Sequence, residues 1–336
     1  MSPQSGIFPP SLQPPLDVVL AKAVATLPGP NAMPGSSWYE PKFDGYRCLL
    51  VAGDTVTLWS RSRKELTKYF PDLVAAAERE LPEGCIVDGE AVIWNNNRLD
   101  FDALQRRMVT AKAMLPALAR ELPASFAAFD VLAVAGQDTR ALPFSSRRAL
   151  LHELAKDWIP PLELSPGTTD LDTARKWFEQ LPATGVEGVM VKGLSQLYVP
   201  GTRSWLKIKH RDNTDVVCAA VIGSITQPQA IIAGLPIDGR LRIVGRSTAL
   251  AASTARELAR YLTPAQLHHP WPEEINETGL NRFSKDKGPV QLTLVEPLVV
   301  EVSGDTAWSG NAYRHPLRFV RARPELDPDD VHVPER

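Results

Sequence analysis

The run Cys85-Ile86-Val87-Asp88-Gly89-Glu90-Ala91-Val92-Ile93-Trp94 constrains this chain more than any other stretch. Its apolar residues predict a strand, Gly84 to Trp94, set in mostly buried surroundings. Side chains alternate along a strand, so Asp88 and Glu90 share one face. Carboxylates are costly to bury unless they meet cations or a ligand. Any fold of this chain must therefore bring partners to that face from elsewhere in the sequence.

Several segments can supply them. Trp38-Tyr39-Glu40-Pro41-Lys42-Phe43-Asp44-Gly45-Tyr46-Arg47 reads as strand, tight turn, strand. Gly45 gives the turn its backbone freedom and lets a ligand come close. Arg47 is permanently charged, and Asp44 can position a cation or a hydroxyl. A lysine among such neighbours is a candidate nucleophile, because like charge and desolvation favour the neutral amine. The bland reading of the same stretch is a hairpin with solvated charges at its tip. Further on, Ser60-Arg61-Ser62-Arg63-Lys64 forms a basic loop directly after a strand. Phe126 to Val134 is an apolar strand that encloses Phe129-Asp130. Glu187-Gly188-Val189-Met190-Val191-Lys192 is a short strand with an acid at its start and a lysine at its end. In Trp205-Leu206-Lys207-Ile208-Lys209 the two lysines lie on one face, opposite Leu206 and Ile208. Such a pair serves either as an edge device against aggregation or as a phosphate site.

With 336 residues the chain is long enough for about two domains. Its composition, 44% hydrophobic and 23% charged, is globular. The net charge of −2 demands no nucleic-acid partner, so any such partner needs a local basic face. Cys48, Cys85 and Cys218 are far apart and form no Cys-x-x-Cys pair, which argues against zinc and a disulfide framework. No secretory leader and no membrane-spanning run is visible, so the expectation is a soluble cytoplasmic protein. Residues 1–35 form a Pro-rich, extended lead-in in which only Leu16 to Leu27 has helical spacing. Helices are predicted over Pro71–Glu80, Asp102–Met108, Lys112–Glu121, Ser145–Lys156 with a serine cap, and Leu171–Leu181 capped by Asp170. The pattern breaks at Arg211 to Asp215. Beyond it come short strands (Val216–Ile225, Ala230–Leu235, Arg240–Val244, Leu292–Val302, Leu317–Val320) and one helix, Ala255–Leu262. This predicts a small OB-type β-barrel, with a β-sandwich as the competitor.

These motifs, in this order, resemble the covalent nucleotidyltransferase superfamily, and most closely the ATP-dependent DNA ligases. The compact layout is similar to the short C-type ligases of actinobacteria. The resemblance implies an α+β fold: an adenylation domain of antiparallel sheets with flanking helices over 1–212, then a C-terminal OB-fold barrel over 213–336. It implies that Lys42 attacks the α-phosphorus of ATP, that the lysyl-AMP passes its AMP to the 5′-phosphate of a DNA nick, and that the 3′-hydroxyl then seals it. Glu90 and Glu187 would sit near Mg²⁺ or Mn²⁺, or the ribose. Lys207 and Lys209 would hold the α-phosphate, with Lys192 assisting. Phe129 would stack on adenine and Glu40 would meet its edge. Arg47 and Arg61 would contact the nucleotide and later the nick. Arg203, in Pro200-Gly201-Thr202-Arg203-Ser204-Trp205, is also a family-like position. Arg321 and Arg323 would orient pyrophosphate, although Arg323-Pro324 stands where such ligases carry Asp-Lys. The implied partner is nicked duplex DNA, met by residues 203–211 and the loop 281–288, with a repair polymerase as a further partner and the protein acting as a monomer in DNA repair. The rival readings are an RNA ligase, a GTP-using capping enzyme, and a non-catalytic nucleic-acid-binding OB protein.

Overall fold

The computed structural model describes residues 7–210, 212–266, 269–280, 288–304, 308–309 and 312–334, with backbone only at 212, 278, 279, 308 and 309. Arg211 and most of the basic loop 281–288 lie outside the described residues. The chain divides into two compact units, residues 1–210 and 211–336.

The strands of the first unit are β1 (Ala21–Ala23), β2 (Ser37–Lys42), β3 (Tyr46–Ala52), β4 (Val56–Ser60), β5 (Cys85–Asn95), β6 (Arg98–Leu99), β7 (Ala124–Val134), β8 (Gln137–Asp138), β9 (Leu162–Leu164), β10 (Gly188–Gly193) and β11 (Trp205–Lys209). Its helices are α1 (Pro71–Glu80), α2 (Phe101–Val109), α3 (Leu115–Glu121), α4 (Phe144–Leu154) and α5 (Leu171–Gln180). Among the described residues the strands form two sheets. One has the order β1-β11-β10-β2, and the other runs β4-β3-β5-β7-β8 with β6 on β5 and β9 on β7. Pairing is antiparallel except for β1 with β11 and β7 with β9.

Local chemistry explains most helix ends. Proline opens α1, where no intrahelical N–H is needed. The Asp170 side chain accepts from the N–H groups of Asp172 and Thr173 and caps α5. Two expectations change. First, α4 begins at Phe144 with no serine cap. The N–H groups of Phe144 and Ser145 donate instead to the carbonyls of Gln196 and Leu194, so an adjacent loop does the capping. Second, the segment Lys112–Glu121 splits into a 3₁₀ turn, Lys112–Met114, and α3, with Pro116 in the first turn of α3. Leu16 to Leu27, despite its helical spacing, runs extended, as expected of the lead-in. Leu16, Val18 and Val19 pack with Leu49, Val51, Ile86 and Leu132, while Leu20 and Val24 donate to the carbonyls of Thr202 and Lys207. Pairing to the open edge of β11 outweighs a weak helical preference.

Two apolar clusters flank the larger sheet. One lies under α1 and α2 and contains Leu50, Val87, Ala91, Phe126 and Val131. On the other face the lead-in packs on Leu49, Val51 and Ile86. The acid of Phe129-Asp130 is structural: Arg147 from α4 donates to it with two nitrogens, at 2.8 and 3.0 Å.

The second unit contains β12 (Asp212–Ser224), β13 (Gln227–Ile237), β14 (Arg240–Arg246), α6 (Ala252–Leu258), β15 (Glu274–Asn276), α7 (Glu277–Leu280), β16 (Pro289–Gln291), β17 (Thr293–Gly304), β18 (Trp308–Ser309), β19 (Ala312–Tyr313) and β20 (Arg318–Ala322). Five strands form an antiparallel sheet in the order β14-β13-β12-β17-β20. Register shifts interrupt the β12, β13 and β17 pairings, as expected where a sheet curls. Its two edges meet at a parallel bridge between Ser247 and Leu317, backed by Leu317 N–H donating to the Arg246 carbonyl at 2.9 Å. The sheet thus closes on an apolar interior that includes Val216, Cys218, Ile231, Ala233, Val299 and Leu317.

Asp130 and Arg147 are both 0% exposed. Removing one partner strands the other charge, so Asp130→Ala should lower the unfolding free energy by about 3–5 kcal/mol. Urea unfolding measures this, and a loss under about 1 kcal/mol would show that the pair does not support the first unit.

Candidate active site

Strand register assembles the site. On β2, Trp38, Glu40 and Lys42 alternate onto one face; Tyr39 turns the other way, into a cluster with Ala174, Val189, Val191 and Ile208. The same alternation places Met190 and Lys192 of β10, and Trp205, Lys207 and Lys209 of β11, on the face shared with Lys42. Lys42 and Lys209 are each opposite Gly188, and Glu40 and Lys207 are each opposite Met190. The core on one side of this small sheet thus dictates a row of polar residues on the other.

Glu187 sits at the start of β10. Its N–H donates to the Lys42 carbonyl and its carbonyl accepts from the His210 N–H, both at 2.8 Å. The carboxylate lies between two amines: Lys42 Nζ donates to Oε2 and Lys209 Nζ to Oε1, the latter at 3.2 Å. Close strand approach here requires glycine. Gly188 has φ +151, and a Cβ would overlap the Ile208 carbonyl oxygen. Gly45 plays a similar part in the turn after β2, because a Cβ there would overlap the Ala91 carbonyl of β5. That contact brings Lys42 and Asp44 beside Glu90.

Charges in this space are in conflict. Burial raises the Glu90 carboxyl to about 8, against the pull of Lys42 and Arg47 and with a smaller push from Asp44 and Glu187. Burial also lowers the Lys207 ammonium, followed by the charges of Lys42 and Lys209, with a further contribution from exposed Arg61. Lys42, Lys207, Lys209 and Arg61 thus make a cationic site to which an oligophosphate is the natural complement.

The base of the site is closed and aromatic. Lys192, 1% exposed, pairs with Glu40 at 2.6 Å and donates to the Phe129 carbonyl at 3.0 Å. Its ammonium lies 4.4–4.9 Å from the ring centres of Trp205, Phe129 and Phe144. Glu40 also accepts from Trp38 Nε1 at 2.9 Å and faces Arg148 at 3.7 Å. The half-buried Phe129 ring meets Trp205 edge-on at 6.0 Å. Lys192 is therefore held with Glu40 and Phe129, apart from the Lys42–Glu187–Lys209 cluster.

The remaining expected residues are placed differently. Arg47 Nε and Nη2 donate to Asp88 at 3.0 and 2.7 Å, and Nη1 donates to the Val19 carbonyl. Arg203 is exposed and donates to the Ala21 carbonyl of the lead-in at 3.4 Å. Arg321 and Arg323 belong to the second unit, where Arg321 pairs with Glu301 at 2.6 Å, and Arg323 with Glu325 at 2.5 Å and Asp215 at 3.4 Å. Asp88 was visible in the sequence as an acid inside an apolar strand. Arg148 and Tyr198, which donates its hydroxyl to Asp88 at 2.7 Å, gave no comparable signal.

A lysine paired with a carboxylate and grouped with two further lysines, beside an enclosed aromatic cluster, defines a site suited to a phosphate-bearing substrate. The comparisons agree. Residues 19–209 match the ATP dependent DNA ligase domain. The chain is 38% identical to DNA ligase C2 of Mycolicibacterium smegmatis over 94% of its own length and 92% of that relative. It is 37% identical to DNA ligase C of Mycobacterium tuberculosis, with the same coverage of each. A solved Lig E DNA ligase shares the fold at TM-score 0.53 and 17% identity, over 91% of this chain and 100% of that one. The chain belongs to the ATP-dependent DNA ligase family.

The raised Glu90 carboxyl carries a pH signature. The folded protein holds a proton at Glu90 that the unfolded chain has lost, between an ordinary value of 4.5 and the shifted value of about 8. This group's contribution to stability is therefore full at acid pH and fades as pH rises through that window. In metal-free buffer the wild-type melting temperature should fall more between about pH 5 and about pH 8 than that of Glu90→Gln, which cannot ionise. Parallel profiles would contradict the assignment.

Proposed function

We propose that the protein seals 5′-phosphate/3′-hydroxyl nicks in duplex DNA through a lysyl-AMP intermediate. The observation that supports this best is the register that sets Lys42 against Glu187, beside Lys207 and Lys209. In the first step Lys42 Nζ attacks the α-phosphorus of ATP. A nitrogen–phosphorus bond forms, the bond to the bridging oxygen breaks, and pyrophosphate leaves. Glu187, the hydrogen-bond partner of Lys42, is in place to take the proton that the ammonium must lose. AMP then passes to the 5′-phosphate of the nick, and attack by the 3′-hydroxyl expels it.

Phosphoryl transfer is mostly positioning and charge neutralisation. Lys207, Lys209 and Arg61 serve the phosphates. Phe129 offers its ring to adenine. Glu40 and Lys192, an acceptor and a donor fixed side by side, serve the base edge, so the role of Lys192 moves from the phosphate to the base. Among the described residues no cluster of three or more metal-binding side chains is assembled. Glu90 and Glu187 nonetheless suit Mg²⁺ or Mn²⁺, because such ions are commonly held by one or two carboxylates together with substrate phosphates and water. The ion, when bound, neutralises phosphate charge.

We read residues 1–212 as the adenylation domain and 213–336 as an OB fold, on the strength of the closed five-stranded sheet. Arg321 and Arg323 remain its cationic residues for pyrophosphate, and Arg203 a DNA contact. We further propose that it acts in DNA repair in the cytoplasm, as a monomer alongside a repair polymerase; the family relationship and the cationic site favour a catalytic over a non-catalytic binding role.

Lys207→Ala should slow AMP attachment by about 10²–10³-fold, the typical effect of losing one group that stabilises developing charge. Rapid-quench measurement with α-labelled ATP gives the rate, and a change within about threefold would remove Lys207 from the reacting phosphate. The wild type should join a nicked DNA duplex and not the same nick in RNA; the reverse preference would favour the RNA-ligase reading.

A further inference from the structure

The Arg47 guanidinium is committed to the protein. It has five N–H donors. Four of them are used: Nε and one Nη2 hydrogen on Asp88, the other Nη2 hydrogen on the Tyr198 hydroxyl at 3.3 Å, and one Nη1 hydrogen on the Val19 carbonyl at 2.5 Å. The Tyr198 hydroxyl accepts from Arg47 and donates to Asp88 Oδ2 at 2.7 Å, which closes a ring of two buried groups and the half-buried Arg47. Asp88 is 0% exposed and Tyr198 2%. A guanidinium tied in this way is poorly suited to swing onto a passing phosphate.

Its faces have another use. Arg47 Cζ lies 5.4 Å from the Phe129 ring centre and 4.9 Å from that of Trp205. Tyr198 meets Trp205 edge-on at 5.9 Å and 83°. Trp205 precedes Lys207 by two residues on β11, and the lead-in holds that strand from its open edge. The tie at Val19 therefore joins the lead-in, β3, β5 and the 198 loop beneath the aromatic platform.

Resting on the nucleotide-site reading above, we propose that Tyr198 is a positioning residue for ATP. Its hydroxyl sets the plane of Arg47 through Asp88, and Arg47 sets the Phe129 ring that is offered to the base and the buried Trp205 ring that supports it. Arg47 acts here by its fork geometry and not by its charge alone.

The test is binding of the α,β-methylene analogue of ATP, which occupies the site without reacting, alongside single-turnover AMP attachment from ATP. Tyr198→Phe keeps the ring and removes the two hydroxyl hydrogen bonds. It should raise the dissociation constant about tenfold, while the attachment rate at saturating ATP stays within about twofold. The nucleotide-free melting temperature should stay within a few degrees of wild type. Arg47→Lys keeps the charge but cannot make the same bridges, and it should weaken binding at least as much. An unchanged dissociation constant for Tyr198→Phe overturns the proposal, as does Arg47→Lys binding like wild type. So does a fall in melting temperature that accompanies equal losses of binding and rate, which would mark a purely structural role. Wild type that binds the analogue but takes no AMP would sink the ligase reading and leave the binding comparison to decide this one.

Discussion

The site depends on one carboxylate held between two amines. Glu187 stands where β2, β10 and β11 come into register, and its backbone already bonds to the strands on both sides before its side chain meets Lys42 and Lys209. Shift that register by one residue and the lysines would face the apolar cluster around Tyr39 and Ile208. The core behind the sheet therefore specifies the chemistry in front of it. Gly188 permits the close strand approach, and Gly45 folds the turn after Lys42 against β5. Neither glycine touches substrate in this account, yet both fix where Lys42 can be.

Around this point the protein holds charges that do not fully satisfy one another. Glu90 is pushed toward its neutral form by burial, and Lys207 loses part of its hold on its proton to burial and to neighbouring lysines. A triphosphate relieves the lysines' conflict, because it brings negative charge to where cations crowd. Elsewhere in the first unit three buried carboxylates are matched. Asp130 with Arg147, Asp88 with Arg47, and Glu40 with Lys192 each combine a buried carboxylate with a bonded cation. The contrast distinguishes matched pairs, which fix the surrounding structure, from the cluster of Lys42, Glu90 and Lys207, whose charges are left in conflict.

Much of the site was legible in the sequence because the signals were local. Period-two alternation put Lys207 beside Lys209 and Asp88 beside Glu90, and turn chemistry marked Gly45 next to Lys42. The helix at 71–80 followed from its opening proline and periodicity, and that at 171–180 from its Asp170 cap. What escaped was decided by distant pairing. The lead-in was legible as extended despite the helical spacing of Leu16 to Leu27, but its pairing to the edge of β11 was not. The start of α4 is capped by carbonyls of residues 194 and 196, which no window around Ser145 contains. Lys192 looked like a fourth phosphate lysine, and only the packing of Phe129, Phe144 and Trp205 reveals it as enclosed. In the second unit the strands were readable, but the Ser247–Leu317 bridge that closes them was not, since it joins residues 70 apart in number.

The most direct test of the account is the intact mass of the purified protein before and after ATP with Mg²⁺, followed by peptide mapping. The account predicts a gain of one AMP, carried on the peptide that contains Lys42, reversed by pyrophosphate and absent from Lys42→Ala. AMP on another lysine of the cluster, or no AMP on the wild type with any divalent metal, would contradict the claim that this strand register builds a lysine nucleophile.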